Sequence, residues 1–396
     1  MDFLTLKDMD LRDKKVIVRV GFDLPVDDDG NITDDKRIKI SVPTIKYILG
    51  QEPKQIILMC HMGRPKGQAV EKLKTNKAAE KTAELLGEEV TKIDDWGENG
   101  LPDSKIVFLE NLRFNKAEKS KDADERDNFG KQLASLADVY VNDAFSNCHR
   151  AHASMTSVPQ FISGCVGLSV EKEVTTIENT IENPEKPVVA IIGGLKADKL
   201  NTISNLLPKV DKILIGGALA FALLKEQGID VGKTKLDSEG MESSKGLVTN
   251  IKENPKVILP IDAIIADQFD ENAEIEIVSV DQIKPEWMAL DIGPETIKTY
   301  KEELEKARTI LWFGPMGVFE MEKFSDGTKE IARILEKSSA TTIIGGGDSA
   351  NAVEKFSSTD NMSLVSTGGG ASLTLIEGKL LVAIDVLEGN KNKFNQ

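Results

Sequence analysis

The sequence predicts an α/β protein with one sheet in each half of the chain, on three observations. Short apolar, β-branched runs are each followed by a polar or glycine-rich turn and then by a helix-compatible stretch, which is the pattern of βαβ units and parallel sheets. These runs fall into two groups along the chain. At 396 residues the chain exceeds what one ordinary hydrophobic core fills, and suits two domains of roughly 150–200 residues each.

In the first half, strands are expected at KKVIVRV from Lys14, QIILMC from Gln55, KIVFL from Lys105 and ADVYV from Ala137. In the second they are expected at PVVAII from Pro187, KILIGG from Lys212, KVILP from Lys256, TILWF from Thr309, ATTII from Ala340 and MSLVS from Met362. Between the groups, Val170, Val174, Ile177 and Ile181 recur at helical spacing. Ser169 is placed to cap that helix and Asn183-Pro184 to stop it, which predicts a connecting helix over about 169–183. Near the end, EGK at Glu377 to Lys379 sets the last glycine-rich motif apart from a short apolar run and the polar tail NKNKFNQ.

Composition narrows the function classes. Apolar residues make up 40% and charged residues 29%, as in a globular protein without low-complexity segments. Fifty basic against 65 acidic residues give a net charge of −15, which opposes general binding to nucleic acid or to an anionic membrane. The first residues, MDFLTLKDMDLRDKK, lack the apolar core of a signal peptide, and no apolar run reaches the length of a membrane span. Cys60, Cys148 and Cys165 show no CxxC spacing and are an odd number, so free thiols in a reducing cytoplasm are expected.

Against that acidic background, a basic cluster in the first half carries information. All three histidines lie in two short motifs, His61 in HMGRP and His149 and His152 in HRAH. Each motif also holds an arginine, Arg64 and Arg150. Arg19 on the first strand, Arg37 in the loop after it and Arg113 in ENLRF complete a set of five arginines at or beyond strand ends, where α/β folds place ligand contacts. Any one of them alone reads as an ordinary solvated residue. Together they point to a small polyanion, because guanidinium forks bind phosphate and carboxylate bidentately and an imidazolium adds charged donors. A metal site fits less well, since the arginines would repel a cation and no HExxH or cysteine spacing accompanies the histidines.

The second half carries four glycine-rich turns after apolar runs: IIGGLKADK from Ile191, IGGALA from Ile215, IIGGGDSA from Ile343 and STGGGASL from Ser366. Strand, glycines and helix make a phosphate cradle, because bare amides approach the phosphate and the helix N-terminus adds positive potential. A single such loop is equally explained by close helix-to-sheet packing. Lys196 and Lys199 beside the first and Asp348 in the third add phosphate cations and a magnesium ligand, so the set points to a nucleotide. Neither GxxxxGK[ST] nor GxGxxG occurs, and the protein-kinase HRD and DFG motifs are absent.

In their order along nearly the whole chain, VRVGFDLPV, HMGRP, ENLRF, VNDAFSNCHRAH, GGLKADK, DIGPET, GPMGVFE, GGGDSA and STGGGASL resemble the motifs of the phosphoglycerate kinase family. The resemblance implies two Rossmann-like domains, each a parallel sheet flanked by helices, joined by the connecting helix with a cleft between them. It implies a first domain, residues 1–168 plus 381–396, that binds 3-phosphoglycerate or 1,3-bisphosphoglycerate, and a second, residues 169–380, that binds MgADP or MgATP. By position, Gly21, Phe22, Asp23, Arg37, His61, Met62, Gly63, Arg64, Arg113 and Arg150 would hold the glycerate ligand, with Arg19, His149 and His152 strengthening the patch and Arg37 facing the transferring phosphoryl. Lys199 would meet phosphate, Glu320 the ribose, Gly216 and Gly217 the adenine, and Gly293 would lie in its pocket; Gly346, Gly347, Asp348 and Ser349 would serve the phosphates and magnesium. Arg37, Lys196, Lys199 and Gly347 are then the catalytic set of a cytoplasmic, monomeric enzyme.

Some residues depart from the family pattern. Gly21 stands where Asp is usual and Asp23 where Asn is usual, so Asp23 is expected to restore a lost acceptor. GGLKADK is one residue shorter than the usual GGAKVSDK, which leaves open whether Lys196 or Lys199 follows the moving phosphoryl. Phe313 replaces an Asn before GPMG, and Ser146, Asn147 and Cys148 replace Gly-Thr-Ala. The departures suggest a divergent, archaeal-type branch. They also sustain two alternatives: a kinase-like protein that keeps its ligands without turnover, and a nicotinamide dehydrogenase on two such domains, which would bind NADH.

Overall fold

Val16, Ile17, Val18 and Val20 read as a strand buried on both faces, because no polar residue alternates with them until Arg19. In the computed structural model, which describes residues 2–97, 100–197, 199–366 and 368–394, they form the centre of a sheet. Contacts divide the chain into two units: one runs to Thr175 and takes in the stretch from Lys379 onward, and the other is Thr176–Gly378.

The first unit holds β1 (Lys15–Val20), β2 (Gln55–Met59), β3 (Thr91–Ile93), β4 (Ile106–Leu109), β5 (Val139–Asp143) and β6 (Ser163–Val166). All neighbours pair in parallel, in the order β3-β4-β2-β1-β5-β6. The chain leaves β1 toward β2 and later returns to its other side as β5. The carboxyl ends of β1 and β5 therefore flank the point where strand order reverses, where open α/β sheets bind ligands. The edge strands β3 and β6 were not among those expected: TKI is half-exposed and SGCV carries a glycine, so neither is an apolar run.

The second unit repeats the plan with β7 (Val188–Ile192), β8 (Lys212–Ile215), β9 (Val257–Ile258), β13 (Thr309–Phe313), β14 (Thr341–Gly345) and β15 (Leu364–Ser366), parallel in the order β15-β14-β13-β7-β8-β9. Here the reversal falls between β7 and β13. KVILP contributes only two residues, since Pro260 has no amide to extend the ladder. Between β9 and β13 the structure adds an antiparallel sheet that the sequence did not announce, β10 (Asp262–Ala266), β11 (Ile275–Ser279) and β12 (Met288–Ile292) in the order β11-β10-β12. Its edge strand leaves Ile275 and Ile277 exposed, so the usual inside–outside alternation is missing.

The connecting helix is Leu168–Glu182. Val170, Val174 and Ile177 are fully buried along it, each worth about 1.5–3 kcal/mol of transfer from water. Ser169 lies inside the first turn and is not the cap. Its amide and hydroxyl both donate to the Asp143 carboxylate, at 3.0 and 2.7 Å, and the Thr44 hydroxyl donates to the same oxygen at 2.8 Å. Asp143 thus ties the end of β5 to two helices, Leu168–Glu182 and Lys36–Gly50. In the first unit the last helix, Val382–Phe394, is pinned through Asn390, which donates to the carbonyls of Pro159 and Ile162 at 2.5 and 2.8 Å and accepts from the Gly164 amide at 2.9 Å. All three cysteines are free and buried, with burial pushing the thiols of Cys60 and Cys148 up to about 12, out of the reactive range.

Candidate active site

The carboxyl end of β1 delivers Gly21, Phe22 and Asp23 to the reversal point, and the segment after β2 brings His61 to Arg64 beside them. The Asp23 carboxylate accepts the Gly63 amide at 2.8 Å, and its other oxygen lies 3.4 Å from His61 Nε2. Gly63 sits at φ +59°, a left-handed turn that favours glycine. Its carbonyl accepts from Arg113 at 2.6 Å, so three motifs far apart in sequence are joined. Burial pushes the Asp23 carboxyl up, but the adjacent His61 ring, the hydrogen bond from the Gly63 amide and the nearby Arg113 outweigh it and hold the group well below the usual carboxylate range.

Arg113 is buried, and burial together with Arg150 and Arg19 lowers it to about 10, which leaves it charged at neutral pH. Its Nε is buried without a partner. Such a donor costs about 1–3 kcal/mol unless something accepts from it. Beside it a cavity of about 230 Å³ is lined by Arg64, Pro65, Lys66, Gly67, Arg113, Asn115, Lys116 and Lys119, with no carboxylate. Arg150 belongs to the same field: burial and then Arg113, Arg150 and Arg64 depress the Lys119 amine. Lys66, Lys116 and Lys119 were not singled out in the sequence, although NKAEK directly follows ENLRF.

Three expectations for this region change. Arg19 is completely buried and serves as scaffold, not as part of an open patch. Arg37 lies in the first turn of the helix Lys36–Gly50 and not in a loop. The histidines are neutral. Burial, with neighbouring arginines, lowers His61 to about 3 and His149 to about 4, and His152 shifts the same way; His149 Nε2 accepts from Arg150 Nε at 3.0 Å. Phe22 and Met62 are also buried, with Phe22 against Phe108 at 6.1 Å between ring centroids, so they can offer a ligand only backbone. At Gly21 a Cβ would find Ala144 Cα at 3.7 Å and the Ser146 hydroxyl at 3.8 Å, ordinary contacts.

In the second unit the site is built from backbone. Gly193 donates to the Phe313 carbonyl at 2.9 Å, Gly217 to the Met316 carbonyl at 2.7 Å, and Leu219 to the Gly194 carbonyl at 2.9 Å. A Cβ on Gly193 would lie 2.0 Å from the Pro315 carbonyl oxygen, and one on Gly217, at φ +64°, 2.4 Å from the Gly194 amide. The loops after β7, β8 and β13 therefore interlock at the reversal point with no room for side chains. Lys199 opens the helix Lys199–Leu206 and donates to the Gly193 carbonyl, folding its amine under the loop.

Around them lies a cavity of about 680 Å³. Lys196 lines it from the loop after β7, and Lys199 and Asp348 from the first turns of the helices Lys199–Leu206 and Gly347–Phe356, with Gly217 and Glu320. Apolar walls come from Phe221, Phe269, Met288, Leu290, Val318 and Met321, and Lys235 adds a cation. Those walls were missed because Met288 and Leu290 belong to the unannounced small sheet. Gly216, Gly293, Gly346, Gly347 and Ser349 are not in the lining. A Cβ at Gly293 would meet the Asp262 carboxylate at 2.3 Å, so this glycine seats the helix Pro294–Lys306. Ser349 is buried and accepts the Gly314 amide at 2.6 Å. Gly346 and Gly347, at the start of the helix Gly347–Phe356, face open space. Phe313 turns inward; a Cβ on Gly345 would strike its ring at 2.2 Å. Asp198 and Thr367, within two of the glycine-rich motifs, lie outside the described residues.

Among the described residues no three His, Cys, Asp or Glu side chains converge on one point to hold a metal ion. Asp348, one exposed carboxylate beside two lysines, suits a magnesium ion carried in on phosphate oxygens. No helix among the described residues is long and apolar enough to cross a membrane.

Comparison with known proteins agrees with this arrangement. The phosphoglycerate kinase family model matches residues 6–379. The chain is 45% identical to a phosphoglycerate kinase of Gloeothece citriformis over 96% of both chains. It is 44% identical to one of Finegoldia magna over 98% of this chain and all of the other. Solved phosphoglycerate kinases from Coxiella burnetii and Pyrococcus horikoshii superpose with TM-scores of 0.85 at 35% and 30% identity, each covering 98% of this chain and 99% of the other. With the family model matching residues 6–379 and relatives matching over nearly the whole chain, the chain belongs to the phosphoglycerate kinase family.

Proposed function

We propose that the two cavities divide the substrates of the family's reaction, the basic one in the first unit taking the glycerate and the larger one in the second taking the nucleotide. The activity itself is that of the family: reversible phosphoryl transfer between 1,3-bisphosphoglycerate and ADP, giving 3-phosphoglycerate and ATP. The carboxyl group is the acceptor. The observation that carries the division is the carboxylate-free basic cavity at Arg64, Arg113, Lys116 and Lys119, with the orphaned Arg113 Nε beside it. It suits the phosphate of the glycerate, bound by charge-assisted hydrogen bonds. We assign Asp23 and His61 Nε2 to its hydroxyl, on their approach to each other beside Gly63, and Arg37 to the transferring phosphoryl, on the family resemblance alone.

In the second unit the apolar walls suit a base, Glu320 a ribose, and Lys196 and Lys199 the phosphates. Magnesium, when bound through Asp348 and the phosphates, supplies positive charge to the transferred group. No general base is needed when ATP is consumed, because the attacking carboxylate is already ionised. What the side chains contribute is positioning and charge neutralisation. We place the enzyme in the cytoplasm as a monomer, in keeping with free buried thiols and a net charge of −15. The reading without turnover is not favoured.

A coupled assay of 3-phosphoglycerate-dependent ATP consumption, run on the wild type and on Arg113→Met, tests the division. The variant is expected to raise KM for 3-phosphoglycerate by about 30-fold or more and to leave KM for ATP within twofold. A variant with unchanged KM for 3-phosphoglycerate would contradict it.

A further inference from the structure

Behind the basic cavity of the first unit, a chain of fully buried polar groups runs from Glu118 through Ser154 and Arg19 to His61. Glu118 lies in the turn Lys116–Lys119 and Ser154 in the segment Ala153–Ser157, and both have no exposed surface. The Ser154 amide and hydroxyl meet the two Glu118 oxygens at 3.0 and 2.6 Å. The Ser154 hydroxyl oxygen lies 2.9 Å from Arg19 Nε. A second guanidinium nitrogen of Arg19 donates to the Val20 carbonyl at 2.5 Å, and the third lies 2.6 Å from His61 Nδ1.

The direction of every bond follows from one fact: a guanidinium has donors and no acceptor. Ser154 Oγ must accept from Arg19 Nε, and the Ser154 hydroxyl proton then goes to Glu118. His61 Nδ1 must likewise accept, so the ring's proton is on Nε2, the nitrogen that faces Asp23 at 3.4 Å and has no partner of its own. We infer that Glu118 and Ser154 are positioning residues that, through Arg19, hold His61 as a neutral ring with its proton on Nε2, aimed into the glycerate site. His61 then acts as a single directed N–H donor to the substrate and not as a phosphate-binding cation.

The groups facing this ring support that state. Arg19 from β1 and Arg113 from the turn Leu112–Phe114 are cationic, and His152 stands edge-on at 6.2 Å. Only Asp23 favours a charged ring, and burial opposes it more strongly. A carboxylate at position 118 accepts two hydrogen bonds from Ser154; an amide there could accept only one, and an alanine at position 154 would leave Arg19 Nε and Glu118 Oε1 unpartnered.

The inference rests on the glycerate site as proposed above, and its first test does not. With three histidines in the chain, two-bond nitrogen–proton correlation on the 15N-labelled full-length protein resolves each ring, with His61→Gln used only for assignment. At pH 7, His61 is expected to show a bare Nδ1 and a protonated Nε2; a protonated Nδ1 or a doubly protonated ring overturns the inference. The second test uses Glu118→Gln and Ser154→Ala. Both are expected to shift the His61 pattern away from a single tautomer and to raise KM for 3-phosphoglycerate by about three- to tenfold, with KM for ATP within twofold. Folded variants that leave both the ring spectrum and that KM unchanged overturn the positioning role. A spectrum that shifts without any change in KM would instead fault the placing of the glycerate.

Discussion

The two units share a sheet plan and differ in what their ligand sites are made of. In the first, the reversal point between β1 and β5 is furnished with side chains: Arg113, Asp23, His61 and the buried network behind them fix one another through charge and hydrogen-bond direction. In the second, the reversal point between β7 and β13 is furnished with backbone, where Gly193, Gly217 and Gly314 let three loops touch. The difference teaches that one fold can present an anion site by charge and a nucleotide site by close approach, and that the two should break differently under mutation.

The largest effect is expected from Gly193→Ala. Its Cβ would lie 2.0 Å from the Pro315 carbonyl oxygen, which is backbone and cannot swing aside. The variant should lose nucleotide binding and destabilise the second unit by about 3 kcal/mol or more, read by thermal unfolding and by titration with MgADP. Near-normal nucleotide affinity would mean that the loops are not interlocked. Arg37→Ala probes the other kind of site. Because the change removes charge at the first turn of the helix Lys36–Gly50 and no core packing, turnover should fall by about 100-fold or more while ADP affinity and stability stay close to wild type. A wild-type rate would refute the role of Arg37.

Asp143→Asn gives a smaller, pH-dependent contrast. Burial pushes the folded-state pKa of Asp143 up to about 6, above its ordinary 3.8, although hydrogen bonds from Ser41, Ser169 and Thr44 oppose the shift. The folded protein therefore holds this proton more tightly than the unfolded chain. Its contribution is full below the ordinary pKa and is lost as pH rises through about 6. Unfolding measured from pH 4 to pH 7 should show wild type losing stability relative to Asp143→Asn by at most about 3 kcal/mol, with little change above pH 7. A constant difference would contradict it. The smallest change is expected from Gly21→Asp, where there is room for a side chain next to Ser146. The fold should be kept and KM for 3-phosphoglycerate should move by less than about fivefold. A collapse in stability would show that the position is closed.

The same contrast explains what the sequence disclosed. Strands buried on both faces, such as Val188–Ile192 and Thr309–Phe313, stand out because a parallel sheet covered by helices admits few polar residues. The three-stranded sheet from Asp262 to Ile292 does not, because its exposed edge breaks the expected alternation. For the site, Arg64, Arg113 and Arg150 were legible as charge out of place in an acidic chain, and the glycine loops as turns after strands. Legible residue type did not reveal state, however. His61 looked like a cation, but burial and the neighbouring Arg19 oppose its charged form. Gly293 and Ser349 looked like ligand contacts and are occupied with packing and a backbone amide. The cations Lys116 and Lys119 were not legible because only the fold sets them around one cavity with Arg64 to Gly67.

The division of substrates between the two units is tested most directly by hydrogen exchange at backbone amides with each ligand added alone. 3-Phosphoglycerate should slow exchange across His61–Lys66 and Asn111–Lys119 and leave Gly193–Lys196 and Gly314–Glu320 unchanged, whereas MgADP should do the reverse. Protection of the same segments by both ligands, or the two patterns exchanged, would contradict the account.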